Sequence, residues 1–172
     1  MPLCYVLHDK GEQRGEQRME RYIRRRTLAA GVSETALLRT GERSMKAHIL
    51  IVDEDPHITN LLRRVLAYEG YSIAIAASGS EALYRALERS PDLIVLDIML
   101  PDINGREVCQ RVRSDKTMDD VKIICISGMI ENDKIEDLKA AGANDFLHKP
   151  FEVETLVDRI GSLLDVESVA AG

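Results

Sequence analysis

The sequence predicts an α/β fold built on a parallel sheet with helices on both faces. Two observations carry that reading. Five short apolar runs, AHILIV (47–52), YSIAIA (71–76), DLIVL (92–96), VKIICI (121–126) and DFL (145–147), recur along the chain. Each is followed by a stretch with helical spacing of its apolar residues. Strands that alternate with helices in this way form βαβ units, whose sheet is buried on both sides.

The first strand reads Ala47–Val52. Pro56 opens the first helix, since proline suits a first helical turn. Ile58, Leu61, Leu62, Val65 and Leu66 form its stripe, and Gly70 stops it. Tyr71–Ala76 is the second strand. Ser78 reads as the N-cap of the next helix, with Glu81 three residues on. Asp92–Leu96 is the third strand, followed by a helix from Asn104 to about Arg113. Val121–Ile126 is the fourth strand, followed by a helix over 131–141. Gly142-Ala143-Asn144 is a turn, Asp145–Leu147 a short fifth strand, and Glu152–Leu164 the last helix.

Residues 1–45 follow a different pattern. They read as a basic extension, partly helical or disordered, with a GEQR-GEQR doublet at 11–18 and arginines at 18, 21 and 24–26. A helix from about 12 to 30 fits their composition, but its apolar stripe is thin. The α/β unit is expected over 46–165 and a short tail over 166–172, with no effector domain expected after it. Residues 1–46 hold ten Lys/Arg and six Asp/Glu; residues 47–172 hold thirteen and twenty-three. The acidic portion argues against non-specific nucleic-acid binding. No apolar stretch approaches the roughly 20 residues that cross a bilayer, and the N-terminus lacks a signal-peptide pattern. Cys4, Cys109 and Cys125 lack metal-ligand spacing and read as small buried hydrophobes of a cytoplasmic protein.

Polar groups gather at the strand ends. Asp53-Glu54-Asp55 ends the first, Asp97 the third and Ser127-Gly128 the fourth, while His148-Lys149-Pro150 follows the fifth. Each alone is an ordinary turn residue. On one edge of a parallel sheet they form a carboxylate cluster with a lysine and a hydroxyl. Such an oxygen-rich cluster suits Mg²⁺. Lys149 adds positive charge for phosphate oxygens, Ser127 a donor, and Gly128 room for close backbone approach. That set provides the positioning and electrostatics of phosphoryl transfer to a carboxylate.

The segments HILIVDEDP, LIVLDIMLPDINGREV, IICISG and GANDFLHKPF resemble the response-regulator receiver domain over about Lys46–Leu164. The resemblance implies a flavodoxin-like five-stranded sheet of order 2-1-3-4-5. It implies phosphorylation from a histidine kinase or phosphotransfer protein, with Mg²⁺. Asp97 matches the phosphoacceptor, and Asp53 and Glu54 match the acidic pair that holds the metal. Met99 matches the residue whose backbone carbonyl completes the metal site. Ser127 and Phe146 match the switch hydroxyl and switch aromatic, and Lys149 matches the phosphate-binding lysine, with a cis bond to Pro150. Glu54 stands where Asp is frequent, and Phe146 where Tyr is frequent. Met99 and Met129 flank the approach of water in the family; thioethers orient water poorly, so slow dephosphorylation is expected unless both are packing residues.

The output is expected at a protein-binding face over 131–164, in a monomer or a phosphorylation-dependent homodimer. Arg159 and Asp145 read either as a symmetric contact or as surface pairing. One alternative is a transcriptional regulator acting through the basic N-terminal segment. Another is a haloacid-dehalogenase-type phosphatase with Asp53 as nucleophile and Asp55 as acid, which would leave Asp97 without a role.

Overall fold

A computed structural model describes residues 20–25, 46–128 and 132–170. Its strands are β1 (His48–Val52), β2 (Ser72–Ala76), β3 (Leu93–Asp97), β4 (Lys122–Ser127) and β5 (Asp145–His148). Its helices are α1 (Pro56–Tyr68), α2 (Gly79–Glu88), α3 (Gly105–Ser114), α4 (Asn132–Ala140) and α5 (Val153–Ala170). The strands pair in parallel in the order β2-β1-β3-β4-β5. This is the flavodoxin-like order that the resemblance implies.

Strand alternation divides the core into two layers. Ile49, Ile51, Val95, Ile124 and Ile126 face α1 and α5. Leu50, Ile94, Leu96, Ile123 and Cys125 face α2 and α3. All five residues of β3 are buried, so the central strand is apolar except where it ends in Asp97. Each fully buried aliphatic side chain contributes about 1.5–3 kcal/mol. The two layers therefore hold the strand ends in fixed register.

Helix starts follow the expected chemistry. Pro56 stands in the first turn of α1, and Asp55 caps it by accepting from His57 N at 2.8 Å. Ser78 caps α2 by accepting from Glu81 N. Glu81 reaches back one residue further than a capping box requires, to Ala77 N at 2.9 Å. Asn104 is the N-cap of α3 rather than its first residue. Gly70 and Gly142 adopt positive φ, 97° and 104°, where they stop helices.

Other boundaries moved. A 3-10 turn at Lys116–Met118, which apolar periodicity does not reveal, precedes β4. The last helix continues to Ala170, past the expected end at Leu164. Arg113 ties α3 to the turn before β5, donating to Gly142 O, Met118 O and Asn144 Oδ1 at 2.9–3.2 Å.

Residues 20–25 are helical, and the rest of the expected 12–30 helix lies outside the described residues. Tyr22 is buried in the α1/α5 layer. Its hydroxyl donates to Glu69 Oε1 at 2.7 Å, and its ring meets Tyr68 edge-on at 6.3 Å. Residues 20–25 thus dock on the α/β core through Tyr22. Among the described residues no helix is long and apolar enough to cross a membrane.

Candidate phosphoacceptor site

From β1 the chain moves outward to β2, then returns across β1 to β3. The carboxyl ends of β1 and β3 therefore border the crevice where doubly wound sheets gather ligands. Asp53 immediately follows β1 and Asp97 ends β3. Both are nearly buried, at 6% and 8% exposed.

Lys149 joins them. Its Nζ donates to Asp97 Oδ2 at 2.5 Å and to Asp53 Oδ2 at 3.0 Å. The second oxygens are held by backbone, Asp53 Oδ1 by Asp55 N at 2.9 Å and Asp97 Oδ1 by Met99 N at 2.8 Å. Each carboxylate is thus fixed in orientation. Lys149 is positioned by its own backbone, whose N–H donates to Ser127 O at 2.7 Å. The Lys149–Pro150 bond is cis, as expected.

One ammonium against two buried carboxylates leaves an excess negative charge. Burial is the largest influence on Asp53 and raises its pKa to about 6, although Lys149 pulls it down. For Lys149, burial acts downward, but Asp53 and Asp97 outweigh it and the net shift is upward. The lysine is satisfied, while the carboxylates remain short of positive charge.

This electron-rich pair fits a hard cation such as Mg²⁺, which takes one or two carboxylates and retains waters. Glu54 is exposed and is not among the carboxylates that Lys149 draws together. No cluster of three or more His, Cys, Asp or Glu residues with metal-holding geometry occurs among the described residues. The site therefore offers two protein carboxylates, and solvent can complete a shell.

Ser127 and Phe146 are near but not in this triangle. Asp97 pairs in register with Ile126, which puts buried Ser127 one residue further along β4. Phe146 is half-buried, pairs in register with Cys125, and packs against the α2/α3 layer. An added Cβ at Gly128 would sit 3.9 Å from Lys149 Cβ, at ordinary contact distance. The close backbone packing beside Asp97 is at Gly105, where a Cβ would lie 2.7 Å from Ile98 Cα and 2.8 Å from Asp97 O. Met99 is 64% exposed, which removes the packing explanation for it. Met129 lies outside the described residues.

Asp102 was not singled out by sequence. It accepts from Gly79 N and Ser80 N at 2.8 Å each, tying the β3–α3 loop to the start of α2. Hydrogen bonds from Ser80 hold its pKa well below the usual carboxylate range. An acid after Pro101 is the only signal it leaves in the sequence.

The fold and the lysine-bridged carboxylates at its switch point define a class, that of doubly wound proteins with an acidic strand edge. Residues 49–161 match the response regulator receiver domain, and the chain belongs to that family of two-component signalling proteins. It is 41% identical over 123 residues to "Response regulator MprA" of Mycobacterium sp. (strain KMS), covering 70% of this chain and 51% of that one. It is 39% identical over 117 residues to the "DNA-binding dual master transcriptional regulator RpaA" of Synechocystis sp., covering 67% and 48%. The matched stretch thus spans about half the length of these curated relatives. Among solved structures, the chemotaxis response regulator CheY4 of Vibrio cholerae superposes with a TM-score of 0.65 at 31% identity, covering 68% of this chain and 98% of that one. A CheY-like receiver domain protein from Methanospirillum hungatei gives 0.67 at 30%, covering 73% and 98%.

Proposed function

We propose that residues 46–165 form a phosphoacceptor receiver unit in which Asp97 takes a phosphoryl group from a histidine kinase or phosphotransfer protein. The observation that carries this reading is Lys149 Nζ bridging Asp97 and Asp53 at the sheet's switch point. An Asp97 oxygen attacks phosphorus, the bond to the donor breaks, and a carboxyl phosphate forms. Lys149 then pairs with phosphoryl oxygens, with the partners it already holds nearby. Asp53 and Asp97, with Met99 O and Glu54 through water, would hold Mg²⁺, which neutralises the carboxylates and the incoming charge. Ser127 and Phe146 are the switch pair, and a protein partner reads the face formed by residues 131–164. The protein works in the cytoplasm as a signalling module that assists its own phosphorylation and dephosphorylation, alone or as a phosphorylation-dependent homodimer.

The phosphatase reading loses support because Asp55, its required acid, already caps α1. Direct DNA binding through the basic segment must contend with Tyr22 anchoring residues 20–25, although Arg21, Arg24 and Arg25 stay exposed. Arg159 Nη1 binds both Asp145 oxygens at 2.7 and 2.8 Å within one chain, so this pair needs no second copy to be satisfied. Mass spectrometry after treatment with acetyl phosphate and Mg²⁺ tests the proposal. One added phosphoryl group on Asp97, absent in Asp97→Asn, is expected; label on Asp53, or none, would overturn it.

A further inference from the structure

Two cysteines that the phosphoacceptor reading does not use lie against each other in the α2/α3 layer. Cys109 on α3 and Cys125 on β4 have their sulfurs 3.7 Å apart, and both are wholly buried and free. They are 16 positions apart, so their meeting is tertiary. Around them are Leu96, Val108, Val112 and Ile123, all apolar. A disulfide closes the sulfurs to about 2.0 Å, so oxidation requires them to approach from 3.7 Å.

We infer that Cys109 and Cys125 form a peroxide-sensitive dithiol, which oxidises to a disulfide that tethers α3 to β4. The hydrogen bond between the two lowers the Cys109 thiol, whereas Cys109 and burial push the Cys125 thiol up; either sulfur can be the donor. The chemistry is the same with the two exchanged, and Cys109 can be the attacking sulfur. It attacks one peroxide oxygen, the O–O bond breaks, and hydroxide leaves to take up the displaced proton as water. Cys109 is then a sulfenic acid. Cys125 sulfur attacks Cys109 sulfur, the S–O bond breaks, and hydroxide departs with the Cys125 proton as a second water. Two thiols and one hydrogen peroxide thus give one disulfide and two waters, two electrons passing from sulfur to oxygen.

The tether lies beneath the strand end. Cys125 precedes Ser127 by two residues and shares its face of β4, and it pairs in register with Phe146. α3 begins at Gly105, which abuts Asp97 O. The link joins the two elements that lead into the strand edge. Because neither sulfur reaches solvent, peroxide gains access through local opening of α3, and oxidation follows that opening.

Peptide mapping of the full chain tests this independently of any phosphorylation. Reduced protein is treated with hydrogen peroxide in native buffer, remaining thiols are alkylated under denaturing conditions, and trypsin is added. A linked pair of peptides, residues 107–111 with 123–134, is expected, and it should vanish on reduction. In Cys125→Ser, dimedone should trap a sulfenic acid at Cys109, and neither single variant should give the linked peptides. Recovery of both wild-type peptides as alkylated thiols, with linkage only in denaturant, would overturn the inference.

Discussion

Lys149 and Asp97, 52 positions apart in the chain, meet at 2.5 Å across the carboxyl ends of β5 and β3. The contact compensates a buried charge and also places an ammonium beside the proposed phosphoacceptor. Replacing Lys149 with Met leaves two buried carboxylates facing each other. A loss of roughly 3 kcal/mol is expected at pH 8, within the range for breaking a buried pair. The loss should shrink at pH 5, where Asp53 is protonated. Urea unfolding at both pH values measures it, and an equal loss at both would contradict the charge argument. Labelling of Asp97 by acetyl phosphate should fall at least about tenfold.

Asp53 gives stability an unusual pH dependence. Its folded pKa, about 6, lies above its ordinary 3.8. Between those values the folded state binds more protons than the unfolded one, so stability falls as pH rises from about 4 to 6. The contribution is fully lost above the folded pKa and amounts to no more than roughly 3 kcal/mol. Asp53→Asn should remove this slope and raise the urea midpoint at pH 7.5. Mg²⁺ affinity, followed calorimetrically, should weaken as pH drops through 6, because protons compete for the same carboxylate.

Gly105 is the tightest backbone approach beside Asp97. Gly105→Ala puts a methyl against Ile98 Cα and Asp97 O, neither of which can rotate away. A destabilisation of about 1–3 kcal/mol follows from overpacking, with slower labelling of Asp97. Gly128→Ala, whose methyl would meet only Lys149 Cβ at 3.9 Å, should leave stability near wild type.

Tyr22 predicts that the N-terminal segment contributes to receiver stability. Tyr22→Phe loses the hydrogen bond to Glu69, about 1 kcal/mol. Tyr22→Ala also empties an aromatic site and should cost about 3 kcal/mol or more. Thermal melts of the full chain compare them, and two unchanged melts would show that this docking adds nothing.

Met99 is exposed beside the site, so its substitution should act on water and not on packing. Met99→Lys should speed loss of phosphate from labelled protein several-fold, and adding Met129→Glu should speed it further. Unchanged decay kinetics would remove the methionines from the account.

The sequence alone determined the layered fold and the residue types of the site. Strands buried on both faces must be apolar throughout, so β1, β3 and β4 stand out, and the polar residues that end them are conspicuous. That is why Asp53, Asp97, Ser127 and Lys149 could be named. The flavodoxin-like strand order needed the family resemblance, because alternation of strands and helices does not specify it. Tertiary structure decided which groups touch. It joined Lys149 to both aspartates, left Glu54 and Met99 exposed, packed Gly105 against Asp97 O, and buried Tyr22. It also brought Cys109 to Cys125 and Asp102 to the start of α2. Those contacts depend on distances across the sheet and between helices. Local periodicity reports which face a residue occupies, and only the packed chain decides which neighbour it meets there.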